Sequence, residues 1–323
     1  MGMGLMQYGQ TTGYLCSGAF DWKRDGDSRK VGWVADNLNG GYGNPGKMLC
    51  KSNTAKFSEK WNDICVDSTA STVNEADKVW GELKIRDGAG GWVAGWTPAL
   101  GHAEAQKMYG DGYNTNYAAS WYLVRTDMNP KYYPQAFKSL YNGGVGTSPY
   151  YNGAISALNN DPTGARGDTL GLGATMGPLS LATIDSRRGT TPDKIPLLAD
   201  AGLGDPARAT LTYYISENAR KGDIGCQSYS SGPVPFPAGW FTPGGRTVEL
   251  GQNFLSFAPV HHRDKVHSCN VLFADGHVSA ISDTNEDSII GFTGNGVDAN
   301  PANLGNPKEL DKVFFGRLRA KPQ

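Results

Sequence analysis

Four of the five histidines in this chain fall between positions 261 and 277, in the stretch HHRDKVHSCNVLFADGHV. Imidazole nitrogens with nearby carboxylates suit zinc, nickel or copper, so His261, His262, His267 and His277, with Asp264 and Asp275, form a candidate transition-metal cluster. The competing reading is structural: a histidine beside an Asp-Gly turn hydrogen-bonds to its own loop and pins that loop onto the hairpin. A second metal pattern follows. Asp283, Asn285 and Asp287 place oxygen ligands at alternate positions, as the first half of a calcium loop does. Gly294 stands where a bidentate Glu would be needed and Ser288 where the turn glycine would be, which excludes an EF-hand. A looser calcium site completed by Asp298 or Asp311 stands beside a plain acidic turn.

The five cysteines, Cys16, Cys50, Cys65, Cys226 and Cys269, contain no CxxC pair and no zinc-finger spacing. Their odd number accommodates one or two disulfides and a free thiol. Cys50 with Cys65 and Cys226 with Cys269 are the expected pairs, and five buried thiols are the alternative. Enzyme motifs of the GxSxG, GxGxxG, P-loop and HExxH types are absent. His102, the one histidine outside the C-terminal group, reads as a surface residue. Trp22, Trp33, Trp92, Trp96 and Trp240 sit in Gly-rich stretches, where an indole either stacks on a sugar face or anchors its loop to the core.

These residues need elements to hold them. VLFADGHVSAIS, residues 271 to 282, is an apolar run, a turn and an alternating run; Asp275-Gly276 predicts a two-residue type I′ hairpin with both turn residues at positive φ. Val271 and Phe273 would face one side and Leu272 and Ala274 the other, so the strand is expected to be buried on both. IPLLAD (195 to 200) reads as a central strand, NYAASWYLVR (116 to 125) and TLTYYIS (210 to 216) as further strands, and GPVPFPAGWFTPGG as irregular. Helices are expected over residues 72 to 84 and 130 to 141, and a short one near Met3, Leu5, Met6 and Leu15.

Glycine, 44 of 323 residues, is about twice its average usage, and charged residues are 19%. Many turns, few charges and no clean linker predict one composite α+β domain over 1–323. A net charge of −1 with scattered Lys and Arg argues against nucleic acid as a partner. No window approaches the roughly 18 apolar residues of a membrane span, and the opening MGMGLMQYGQTTGYL has no basic signal region.

Three stretches together, NTNYAASWYLVRTD, DKIPLLADAG and FLSFAPVHHRDKVHSCNVLFADGHVSAIS, resemble the DUF1559 family of pilin-like proteins, whose C-terminal mark is a histidine separated from Asp-Gly by nine residues. Lys265 occupies that histidine position here, so a role tied to it is not carried over. The resemblance implies a pilin-like head: a truncated N-terminal helix (residues 1–15 its remnant) packed on an antiparallel sheet, large loop insertions, and a C-terminal hairpin and loop region over 246–323. MGMGLMQYG resembles the stretch just after the family's long apolar helix, which would anchor a precursor in the inner membrane. The implied role is non-enzymatic: a filament or pseudopilus subunit of the type IV pilus or type II secretion kind, extracellular or in the envelope, whose partners are other pilin-like subunits or itself. Such heads often tie the C-terminal loop with calcium, here through Asp283, Asn285, Asp287 and Asp298. The alternatives are a module binding surface glycans or a metal, and a hydrolase with an unrecognised site.

Overall fold

A computed structural model of the chain describes residues 1–21, 25, 27–62, 98–127, 175–186, 190–230, 234–237, 248–252, 254, 256–263, 266–286, 288, 290, 309, 313, 314 and 318. The predicted helices over 72 to 84 and 130 to 141 lie outside them. The described part is mixed helix and open antiparallel sheet, in keeping with an α+β protein. Among the described residues no helix is long and apolar enough to cross a membrane.

Strand β6 (Val266–Phe273) is the axis of the sheet. Along one edge it pairs with β7 (Val278–Asp283) from His267↔Asp283 to Leu272↔Val278. Its other edge is shared end to end. β2 (Pro196–Asp200) pairs with the second half, through Ala199↔Val271 and Pro196↔Phe273, and β5 (His261–Arg263) with the first, through His261↔Ser268 and Arg263↔Val266. β1 (Tyr117–Ala119) adds outside β2, with Tyr117 opposite Asp200.

Side-chain alternation then sorts the core into two layers. Cys269, Val271 and Phe273 join Ala118, Ala199, Phe254, Phe257 and Ile281 on one side, while Leu272 and Ala274 join Leu5, Trp33, Val34, Trp61, Trp121 and Tyr122 on the other. The second half of β6, from Val271, is thus buried on both faces, as its apolar run predicts, while Val266 at its start is exposed. Helix α1 (Gly2–Thr12) lies on the second layer against helix α2 (Trp33–Asn39). Gly4 makes that crossing close: a Cβ there would sit 2.0 Å from the Asn37 side-chain oxygen. Leu15, expected on the α1 face, is buried beyond the end of the helix, and Met3 is exposed.

Four expectations are corrected. The 116 to 125 segment is a strand for only three residues. Ser120 then caps a helix, Trp121–Arg125, its hydroxyl accepting the Leu123 N–H at 3.1 Å, with Gln252 Oε1 accepting the Trp121 N–H. The 210 to 216 segment forms isolated bridges, Thr210↔Ile224 and Ser216↔Ala219, rather than a strand. The proline-rich segment contains β3 (Val234–Pro237), paired with β4 (Val248–Gly251). Pro235 and Pro237 are two apart, so both turn their missing N–H to the unpaired edge of this two-stranded ribbon.

The fourth correction is the hairpin turn. Gly276 N–H bonds to Phe273 O and Phe273 N–H to His277 O, both at 2.9 Å, so the loop is Ala274-Asp275-Gly276, three residues rather than two. Only Gly276 has positive φ, 91°; Asp275 keeps the ordinary negative value. This is the geometry of a type I turn closed by a left-handed glycine. No atom lies within 4 Å of a Cβ built on Gly276, so any penalty there is backbone strain alone.

The return from α1 to α2 rests on a buried carboxylate. Asp36 accepts the Ser17 N–H at 2.7 Å and the Ser17 hydroxyl at 2.8 Å, and that hydroxyl accepts the Gly32 N–H at 2.8 Å. Burial outweighs these bonds and pushes the Asp36 carboxyl up to about 6 from 3.8.

Two predictions follow from this geometry. Gly276→Val should lower the unfolding free energy by about 1–3 kcal/mol, because a β-branched residue is forced to positive φ; denaturant melts of variant and parent measure it, and coincident curves would reject it. Between pH 3.8 and about 6 the folded protein keeps the Asp36 proton that the unfolded chain has lost. Stability should therefore fall as pH rises through that window, by roughly 3 kcal/mol from this group, and Asp36→Asn should remove this contribution from the pH profile.

Candidate functional site

Antiparallel pairing lets each residue of β6 offer its N–H to one edge only, with successive residues alternating. Phe273 donates toward β7 and Ala274 toward the β2 side, where Ile195 O accepts at 2.9 Å. Asn270 also faces the β2 side, but β2 has ended there and β5 has not begun. The Asp200 carboxylate fills the gap: its Oδ2 accepts the Asn270 N–H at 2.8 Å, while its own carbonyl accepts the Ala258 N–H at 3.0 Å. A buried N–H left unpaired would cost about 1–3 kcal/mol, and Asp200 itself is 1% exposed.

His261, the first residue of β5, enters the same gap. Its Nε2 lies 3.0 Å from Asp200 Oδ2 and 2.8 Å from Asn270 Nδ2. Cys50 comes from the opposite direction, with Sγ 3.6 Å from the same Nε2. The three candidate donor atoms of Cys50, Asp200 and His261 lie within 4.8 Å of one another. Cys50 and Asp200 are buried, whereas the His261 side chain is 32% exposed and forms the solvent side of the group.

The loop that delivers Cys50 is held by amides. Asn116 accepts the Cys50 N–H at 2.8 Å and donates to the carbonyls of Cys50 and Ala55, at 3.0 and 2.9 Å. Asn53 donates to Ala201 O at 2.8 Å, and the Lys56 ammonium gathers the carbonyls of Cys50, Lys51 and Asn53. Burial, and then the neighbouring Asp200 charge, push the Cys50 thiol up. Tyr117, opposite Asp200 in the register, is pushed up to about 12 by burial, with Cys50 and Asp200 adding to it.

A cysteine, a histidine and an aspartate invite comparison with a nucleophile relay, but a relay needs the acid on one ring nitrogen and the nucleophile on the other. Here the carboxylate, the thiol and the Asn270 amide all approach Nε2. A thiol raised by burial is also a poor nucleophile. Convergence of three donors on one point is instead the arrangement that holds a cation.

The expected histidine cluster is divided among three places. His262 and His267 are cross-strand partners, ring against ring at 4.2 Å, on the face opposite His261, because neighbours in a strand point to opposite sides. His277 stacks on Phe273, with centroids 4.5 Å apart, and its Nδ1 is 2.6 Å from Asp275 Oδ1, which also accepts the His277 N–H. Burial would raise the Asp275 carboxyl, but the His277 bonds outweigh it and hold it below its usual range. Asp275 and His277 are thus bonded to each other within the turn.

Cys226 and Cys269 are separate free thiols, so the expected pair is not formed. Cys226 donates to Phe57 O and Cys269 to Asp200 O. Cys50 is likewise a free thiol, and Cys65 lies outside the described residues. Asp283 is buried and accepts the Ser288 N–H at 2.8 Å, and Asn285 is exposed. Asp287 and Asp298 lie outside the described residues, as do Trp22, Trp92, Trp96 and Trp240. Trp33 is fully buried and anchors α2 to the core. His102 packs on Tyr213 and contacts the Tyr214 carbonyl. Sequence reasoning missed Asp200 and Asn270; the available signal was an acidic residue closing the otherwise apolar strand IPLLAD.

Comparison with known proteins finds no family model that matches the chain, no similar curated protein and no similar solved structure.

In metal-free folded protein, alkylation of Cys50 by iodoacetamide, followed by peptide mass mapping, should still accelerate above pH 9, because burial makes the reactive thiolate form late. His261→Ala should speed it by uncovering the sulfur. A rate that levels off below pH 8 would mean an activated thiol and would contradict this account.

Proposed function

We propose that this chain is a non-enzymatic structural head of the pilin or pseudopilin type, working at the cell envelope or outside the cell by contact with like subunits. The observation that supports this reading most is the place of the NVLFADGHV hairpin. The stretch that carries the family resemblance is the double-faced axis of the sheet. Helix α1 lies on the same side of the sheet as Leu272, where a Cβ on Gly2 would come within 2.8 Å of that side chain. In a pilin-type assembly a helix in that position carries the head into the filament. The solvent-facing residues of α1, with Met3 78% exposed, would then meet neighbouring subunits.

Fractionation of the cells that make the protein, with cross-linking before lysis, tests this. The chain should appear in the envelope or in material sheared from the surface, in cross-linked ladders of its own multiples or with other pilin-like proteins. A monomer recovered only from the cytosol would sink the proposal.

A further inference from the structure

We propose that Cys50, Asp200 and His261 form a binding site for a thiophilic divalent cation of the zinc class, at the break between β2 and β5. The site stands apart from the envelope reading and from the calcium pattern at 283 to 298.

The geometry carries it. A zinc ion bound tetrahedrally at ordinary bond lengths keeps sulfur and nitrogen about 3.6 Å apart and nitrogen and oxygen about 3.3 Å apart. The corresponding separations here are 3.6 Å for Cys50 Sγ to His261 Nε2 and 3.0 Å for His261 Nε2 to Asp200 Oδ2. The third pair, Cys50 Sγ and the Asp200 carboxylate, lies within 4.8 Å, and small movements of the partly exposed imidazole and of the thiol would complete the set, with the Cys50 backbone and the Asp200 carboxylate held by hydrogen bonds.

The chemistry agrees. Nε2 has a single lone pair or a single hydrogen, so it cannot donate to Asp200 and accept from Asn270 Nδ2 at once. A cation at the centre of the group uses the lone pair, the carboxylate and the thiolate together, and turns the Cys50 proton out to solvent. A thiolate selects zinc, cobalt or copper over calcium and magnesium, which take oxygen ligands. Three protein donors leave a fourth position toward the exposed edge of His261, open to water or a further ligand. The ligands lie 150 and 61 residues apart in sequence, so an ion here would clamp the 50–56 loop and the start of β5 to the end of β2. Asn270 would hold Asp200 in place through its backbone N–H, while its side-chain amide would give up Nε2 of His261 to the ion.

The test uses chelator-stripped full-length protein titrated with zinc, and separately with cobalt(II) as a spectroscopic probe. One equivalent should bind, raise the melting temperature, and with cobalt give a thiolate-to-metal charge-transfer band. Cys50→Ser and His261→Gln should weaken binding by more than about a hundredfold. The double variant His262→Ala, His267→Ala should bind as the parent does. No bound ion, a cobalt spectrum without the thiolate band, or binding that survives Cys50→Ser and His261→Gln but is lost with His262 and His267 would each overturn the proposal. The cobalt spectrum of the unmutated protein decides the matter even if a variant fails to fold.

Discussion

A strand edge can pair only one neighbour at each point, and β6 must serve two. β2 covers one half of its edge and β5 the other, which leaves the Asn270 N–H at the junction without a backbone acceptor. A buried donor cannot stay unpaired at tolerable cost, so a side chain has to supply the acceptor. Asp200, the last residue of β2, does so. Its carboxylate brings charge into the interior, and that charge sets the character of everything near it: the imidazole of His261, the Cys50 sulfur and the Tyr117 hydroxyl gather within its reach.

Elsewhere the same rule recurs with different partners. Arg125, fully buried at the end of its short helix, is held in a two-pronged pair by Asp25, with contacts of 2.9 and 2.5 Å. Burial pulls the guanidinium down, but the Asp25 carboxylate more than offsets this, and Arg125 stays charged. Such a pair adds little net stability, yet removing one partner would leave the other charge buried and uncompensated, a cost of about 3–5 kcal/mol. Asp21 accepts from the Tyr229 hydroxyl at 2.7 Å, and Asp36 from Ser17. A chain with this much loop has many backbone groups without a helical or sheet partner. Buried Asp and Asn side chains take the place of regular secondary structure in meeting them.

The local features readable from sequence are those whose cause is local. The double-faced burial of residues 271 to 274 followed from an apolar run beside a turn, and IPLLAD was readable as central because every residue in it before Asp200 is apolar. The turn was half legible: glycine at 276 announces positive φ, but whether the loop has two or three residues depends on the register that β7 adopts against β6. Residues 116 to 125 misled because strand-forming side chains are also good core side chains. The Ser120 cap and the distant Gln252 acceptor decide for a helix.

By itself, then, the sequence determined the two-faced burial of residues 271 to 274, the glycine turn that follows, the largely apolar β2 and the α+β mixture. All of these depend on the steric and hydrophobic preferences of adjacent residues. Only the tertiary structure decided which functional side chains meet. Four histidines close in sequence were divided, because alternation along β5 turns His261 and His262 to opposite faces and a tight turn keeps His277 for itself. Cys50, Asp200 and His261, far apart in the chain, were joined because two strands end and begin at the same point on a third, a coincidence of register that no spacing in the sequence encodes.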